Sequence, residues 1–413
     1  FNILLFLTVY LFIPNACSKK LDSKSQKLVG TWKNKDSMDA WKFSKDGELM
    51  LIQSKSKRIW RHSKSGSFFI LNIEQGQLTP VSKNNDQLRN VKLSPNGKWV
   101  AYVRTDNNLY AYNLDRRREK KLTRNGSDTI LNGHFGWVYE EELSGYDAYR
   151  WSPDSRSIAY WEEDQAPVQK YTLIDELPLY PRTKEIRYPK AGEANPKMRI
   201  AVINVQGGGR KFLDIDSESD VYYPWMEWQN SDRLWILKLE RRQKSWQMYH
   251  ADVVTGRTHP GMKESDPDGW VELHDGNRIL SNGHFIHISE RDGYQHIYIE
   301  RPTGRFAIPV TNGRWEVKNI IHVDEKKDII FFTANRRSVL DNHLYSIRFD
   351  GTELTLLTPE PGVHRVSMNS TGTGFIDSYS SVDQPPRIVY RNINWRVGHV
   401  RASLDEENSW EVF

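Results

Sequence analysis

The stretch Trp137 to Ser144, WVYEEELS, sets three carboxylates in a row: Glu140, Glu141 and Glu142. Along an exposed strand they would repel one another, and Glu and Leu favour helix, so a short helix or turn is expected here. On a helix, the neighbours Glu141 and Glu142 project about 100° apart and lean toward one point only if the segment overhangs a cavity. A carboxylate pair converging there would seat an ammonium group, which brings three donors. The alternative is a solvated acidic helix start, favoured by the positive end of the helix dipole.

The elements that must carry this segment follow from a recurring unit: an apolar residue, a Ser/Pro/Asp/Gly turn, then an alternating apolar strand. Clear copies begin at Phe43 (FSKDGELMLIQ), Leu93 (LSPNGKWVAYV) and Trp151 (WSPDSRSIAYW), and weaker ones at Trp228, Leu273 (LHDGNRILSNG), Val323 and Met368. The spacings are 50, 58, 77, 45, 50 and 45 residues, with several short strands per period and no sustained helical pattern. The expected fold is all-β, a β-propeller with seven recognisable blades. A four-stranded blade has two apolar faces and must stack radially against its neighbours. A β-sandwich with coincidental Asp-Gly turns is the competing reading. The two long intervals locate insertions near 131–150 and 162–198, and insertions on a rigid scaffold are where binding function usually sits.

Composition narrows the class. Apolar residues make up 38% and aromatics 12%, with 15 Trp and 19 Tyr, which rules out disorder as the main state. Lys plus Arg total 58 against 53 Asp plus Glu, so a net +5 spread over 413 residues calls for no nucleic acid. The single cysteine, Cys17, excludes internal disulfides and multi-cysteine metal sites. The first 16 residues carry no charge and 12 are apolar. This is the shape of an export signal core, too short for a bilayer span of about 20 residues. Ala16-Cys17 also resembles the end of a bacterial lipoprotein box, with Ser18 to Lys27 as a tether, so Cys17 is a candidate lipidation site and membrane anchor.

GWVYEEELSGYDAYRWSPD, followed by YPRTKEIRYPKAGEANP, resembles the bacterial-like N-terminal propeller of the dipeptidyl peptidase IV family, serine exopeptidases of prolyl-oligopeptidase type. IWRHSKSGSFFIL around Arg61, GWVELHD near Trp270, SERDGYQHIYI near Ser289 and TNGRWEV near Trp315 extend the resemblance over roughly Phe43 to Asn392. It implies that Glu141 and Glu142 grip the free N-terminal amine of a peptide substrate and that Arg61 reaches the carbonyl of its second residue. Such a clamp acts as a ruler for releasing dipeptides of the Xaa-Pro or Xaa-Ala type. Gly136 stands where the family usually has an acidic residue, which would loosen the helix start. No Arg-Phe pair follows Trp270. The 205–220 stretch is short for the arm by which some members dimerise, so a homodimer stays open.

The family's nucleophile lies in a G-x-S-x-G elbow of a C-terminal α/β-hydrolase domain, and none of the 26 glycines here has Ser two residues later. The chain is therefore expected to lack the hydrolase domain and to be inactive alone, with no catalytic residue of its own. The N-terminal side is also short for the family's usual eight blades, and an incomplete copy of a longer peptidase is favoured. Twelve scattered histidines read as satisfied core or surface residues, and His284 and His287 face opposite sides of a strand, a poor metal pair. Ser54 and Lys57 match S-x-x-K only in spacing, and Gly207 to Gly209 lack a helix start, so no metal or cofactor is expected. Glu162 reads as a surface carboxylate. The expected organisation is an export or lipoprotein signal (1–17), a polar linker (18–38), the propeller (39–395) and a connection toward a hydrolase domain (396–413). Alternatives are a stand-alone peptide- or protein-binding propeller of the cell envelope and a glycan-processing propeller.

Overall fold

A computed structural model describes residues 40–43, 48–302, 307–394 and 399–401. The expected signal, linker and Cys17 lie outside the described residues. The chain divides into two compact units, 1–241 with 248–260 and 242–247 with 261–413.

In the first unit, two antiparallel meanders share an eight-stranded sheet. One is Ala40–Phe43, Leu49–Arg58, Lys64–Asn72 and Gln77–Pro80; the other is Leu88–Leu93, Trp99–Val103, Leu109–Asn113 and Arg118–Lys121. They join where Ser65 and Gly66 pair with Arg89 and Leu88. A third meander orders Tyr149–Trp151, Ser157–Asp164, Lys197–Asn204 and Lys211–Phe212, with Ile130–Asn132 added beside Glu162–Asp164. Val221–Asn230 and Arg233–Glu240 open the next sheet, completed by Ser245–Asp252 and Thr258–Ser265. The second unit holds three four-stranded meanders that begin at Arg278, Val317 and Val363. The last of them ends in His399–Arg401, paired with Asn392–Asn394, so the final sheet runs past the boundary drawn at 395.

Why these residues form blades is visible in the second strands. Val100 to Val103, Ile158 to Trp161, Leu234 to Leu237 and Ile329 to Phe332 are buried throughout, because each such strand is covered on both faces. The turn before the second strand repeats one hydrogen-bond pattern in three of the blades. Ser94 N–H donates to Trp99 O and Gly97 N–H to Ser94 O; Ser152, Ser155 and Ser157 repeat this, as do Asn369, Gly372 and Gly374. The fourth turn residue adopts left-handed φ, +68° at Gly97, +62° at Ser155 and +64° at Gly372, a conformation in which glycine costs least.

That signature corrects the fifth copy. The repeat drawn from Leu273 is displaced by one strand, because its Asp275-Gly276 turn precedes a first strand, Arg278–Ile279. The equivalent turn is Leu280 to His284, where Gly283 N–H donates to Leu280 O and φ of Gly283 is +81°. Two similar turns 7 residues apart competed in the sequence, and strand pairing of Arg278–Ile279 with Phe285–Ile286 decides between them.

The expected insertions are both present. Residues 133–147 form a lobe closed at its neck by a bridge between His134 and Asp147 and carrying the helix Trp137–Glu142. Residues 170–187 form a separate hairpin, Lys170–Asp175 against Arg182–Arg187. In the 205–220 stretch, Lys211–Phe212 simply continues a blade.

Candidate functional site

The Trp137–Glu142 helix is held by its apolar back. Val138 and Tyr139 are buried, Phe135 stacks on Tyr139 at 4.6 Å between ring centroids, and the Tyr139 hydroxyl accepts the Tyr223 N–H at 3.0 Å. Trp137 packs on Tyr188 at 4.2 Å. The helix ends because Ser144 turns into the left-handed region at φ +53°, which lets Gly145 N–H reach Tyr139 O at 2.8 Å.

Its start is not loosened by Gly136, contrary to expectation. The Gly136 N–H donates at 2.8 Å to Oε2 of Glu163 on the Ser157–Asp164 strand, and the Gln165 amide donates to Glu163 Oε1 at 2.8 Å. A Cβ at position 136 would collide with Gln165 Nε2 and lie 2.6 Å from Glu163 Oε1. A larger residue here would have to displace the ends of these two side chains and their hydrogen bond, while φ is an ordinary −86°. The acidic group missing at 136 is supplied from a neighbouring strand. Burial pushes the Glu163 carboxyl up to about 7 against the pull of its two donors.

The neck is braced by the Leu88–Leu93 strand. Asn90 Nδ2 donates to Gly133 O at 3.1 Å and to Tyr146 O at 2.8 Å, and Lys92 Nζ pairs with Asp147 at 2.6 Å and also reaches Tyr149 O. His134 is buried in this neck, and burial next to the Arg89 charge holds its ring down to about 3.

Arg61 sits on the short connection between Leu49–Arg58 and Lys64–Asn72, closed by Ile59 N–H to Ser63 O at 3.0 Å. Its Nε donates to Glu141 Oε2 at 2.6 Å, across 80 positions of sequence, and this partner raises the guanidinium's pKa. Arg61 is 68% exposed and Glu141 15%. The structure therefore brings together two of the three expected site residues. Glu142, one position on, is exposed and has no described polar partner. Beside the pair a cleft of about 110 Å³ is lined by Trp60, Ser63, Arg89, Asn90, Trp137 and Tyr146, among others.

Glu140 is the residue that the sequence reading passed over. It is 1% exposed, and its Oε1 accepts the backbone N–H groups of His62 and Ser63, both at 2.7 Å. Its position next to Tyr139 on the buried side was a signal, but partners 77 and 78 residues away were not legible. Glu163 could have been found: in SIAYWEED it shares a strand face with Ala159 and Trp161.

Glu162 is likewise not a surface carboxylate. It is 2% exposed and receives Arg199 and, at 2.8 Å, Arg210, with Asn125 Nδ2 at 2.9 Å. In the second unit, His287 pairs with Glu300 at 2.9 Å and His364 with Asp377 at 2.9 Å. Among the described residues no group of three or more His, Cys, Asp or Glu is arranged to hold a metal ion.

Repeated four-stranded meanders with an acidic helix lobe and an arginine loop define the class: a β-propeller whose insertions carry the site. The chain belongs to the dipeptidyl peptidase IV family, matching the description "Dipeptidyl peptidase IV (DPP IV) N-terminal region" over residues 44–386. It is 30% identical over 371 residues to dipeptidyl peptidase 4 of Trichophyton rubrum and 30% identical over 375 residues to that of Trichophyton tonsurans, covering 85% of this chain and 47% of each relative. The crystal structure of Porphyromonas gingivalis dipeptidyl peptidase 4 superposes with a TM-score of 0.82 at 26% identity, over 90% of this chain and 53% of that one. The chain thus spans about half the length of these relatives.

Proposed function

We propose that the chain is the substrate-gating, N-terminus-anchoring propeller of a serine-type dipeptidyl peptidase. In this reading Glu141 and Glu142 hold the free amine of a peptide, Arg61 reaches the carbonyl of its second residue, and a C-terminal hydrolase domain releases Xaa-Pro or Xaa-Ala dipeptides. The observation that carries the reading is the Arg61–Glu141 contact at 2.6 Å, which joins a cation and an acidic helix from distant parts of the chain beside a cleft. A guanidinium has five N–H donors, and only the Nε–H is used by Glu141, so donors remain for a carbonyl. Glu142 is exposed and open to an ammonium group.

Isothermal titration of the chain with unblocked Ala-Pro-Ala and with its N-acetyl form tests this. The acetylated peptide should bind roughly 30-fold more weakly, since it leaves a charged clamp without its ionic partner. Equal affinities would reject the clamp.

Two further parts of the reading have separate support. On the 170–187 hairpin Leu177, Leu179 and Tyr180 are 97%, 92% and 81% exposed, and side chains of this kind favour burial against a second copy, hence a homodimer. The apolar run before Cys17 supports export to the periplasm or cell envelope, with Cys17 as a lipid tether.

A further inference from the structure

The exposed end of the clamp has little to hold it in place. The connection that carries Arg61 is five residues long, from Ile59 to Ser63, without regular structure, and Arg61 itself is mostly in solvent. A side chain of this kind has many rotamers, and an ion pair at the surface does not fix a loop. What does reach the loop's backbone is Glu140. One oxygen of its buried carboxylate takes two consecutive N–H groups, those of the residues directly after Arg61, each at 2.7 Å. Charge-assisted bonds of this length in a site shielded from water are stronger than neutral ones. Its other oxygen is buried without a hydrogen-bond partner, as is Nε of Arg89 in the cleft wall. Burial lowers the Arg89 pKa, and the nearby Glu140 charge opposes that lowering. A ring contact between His62 and Tyr146 at 6.3 Å also ties the loop to the helix lobe.

We propose that Glu140 is a positioning residue for peptide recognition: by binding the loop backbone at His62 and Ser63 from within the same helix that carries Glu141 and Glu142, it sets the distance between the arginine and the carboxylates. The three glutamates then divide the labour by burial. Glu141 and Glu142 face the peptide, and Glu140 fixes where Arg61 stands relative to them. This rests on the clamp reading above, and adds that the spacing of the clamp is held by a group that never touches the peptide.

The test is a double-mutant cycle on the chain, read as affinity for unblocked Ala-Pro-Ala. Glu140→Ala should weaken binding roughly tenfold, the effect expected from losing hydrogen bonds to a charged group. Glu140→Gln keeps an acceptor oxygen for the two N–H groups and should lose less than about threefold. In an Arg61→Ala background the Glu140→Ala cost should vanish, because a residue that acts through Arg61 has nothing left to position. Amide exchange at His62 and Ser63 should accelerate in Glu140→Ala with or without peptide. If Glu140→Ala fails to fold, Glu140→Met, which fills the buried volume, replaces it in every arm. Unchanged affinity, or the same loss with and without Arg61, overturns the proposal. If the wild-type chain does not prefer the unblocked peptide, the clamp reading itself fails and the positioning role falls with it, a result visible before any variant is compared.

Discussion

Glu163 provides a pH test of how the helix start is held. In the folded chain its carboxyl keeps a proton up to about pH 7, against an ordinary value of 4.5. Folding therefore takes up a proton between those values. The stabilisation is fully present below about 4.5 and is lost as pH rises to about 7. At about 1.4 kcal/mol per pH unit this amounts to roughly 3 kcal/mol. His134 works the other way: held neutral down to about 3, against 6.5 when free, it makes folding release a proton, so its contribution is lost as pH falls below 6.5. Between about 4.5 and 6.5 the two slopes cancel, one proton taken up against one released. Glu163→Gln removes one side of that balance while keeping an acceptor for the Gly136 N–H. The stability difference, variant minus wild type, should rise by about 3 kcal/mol from pH 4.5 to 7.5, or roughly 5 °C in Tm. Urea unfolding followed by tryptophan fluorescence reads it, since Trp161 is buried on the same strand. A difference independent of pH would mean that Glu163 ionises normally and that its two donors offset burial.

Gly136→Ala should destabilise by about 1–3 kcal/mol through overpacking, and Gln165→Ala in the same chain should relieve most of that cost, because Gln165 occupies the space a Cβ needs. Glu162→Ala should lower stability by roughly 1–2 kcal/mol in denaturant melts through lost hydrogen bonds to a charged group, while the partly exposed Arg199 and Arg210 stay solvated. Leu179→Asp with Tyr180→Asp on the hairpin should turn a dimer into a monomer in sedimentation velocity without shifting Tm; an unchanged sedimentation coefficient would remove the hairpin from the interface.

The blades were legible because most repeat a local signal: an apolar strand end, a turn with one left-handed residue, then a strand buried on both faces. Where two such turns fell close together, at Gly276 and Gly283, periodicity chose the wrong one, since only pairing with Phe285–Ile286 distinguishes them. The helix at 137–142 was readable from residue type, and the family resemblance assigned Arg61 and Glu141 to one peptide, while their direct contact was not read from the sequence. Nor were the supports of the site. Glu140, Glu163 and Asn90 act on backbone groups 27 to 78 positions away, and a sequence shows the charge of a carboxylate but not whether a distant N–H will meet it. Glu162 was misread for the same reason, although its neighbours Tyr160 and Trp161 already marked a strand buried on both faces.

The most direct measurement is the crystal structure of this chain with unblocked Ala-Pro-Ala bound. The account predicts the peptide's ammonium within hydrogen-bonding distance of both Glu141 and Glu142, the second carbonyl oxygen accepting from the Arg61 guanidinium, and the Glu140 bonds to His62 and Ser63 intact. A peptide lying elsewhere, or one whose amine faces solvent while Glu142 stays uninvolved, would contradict it.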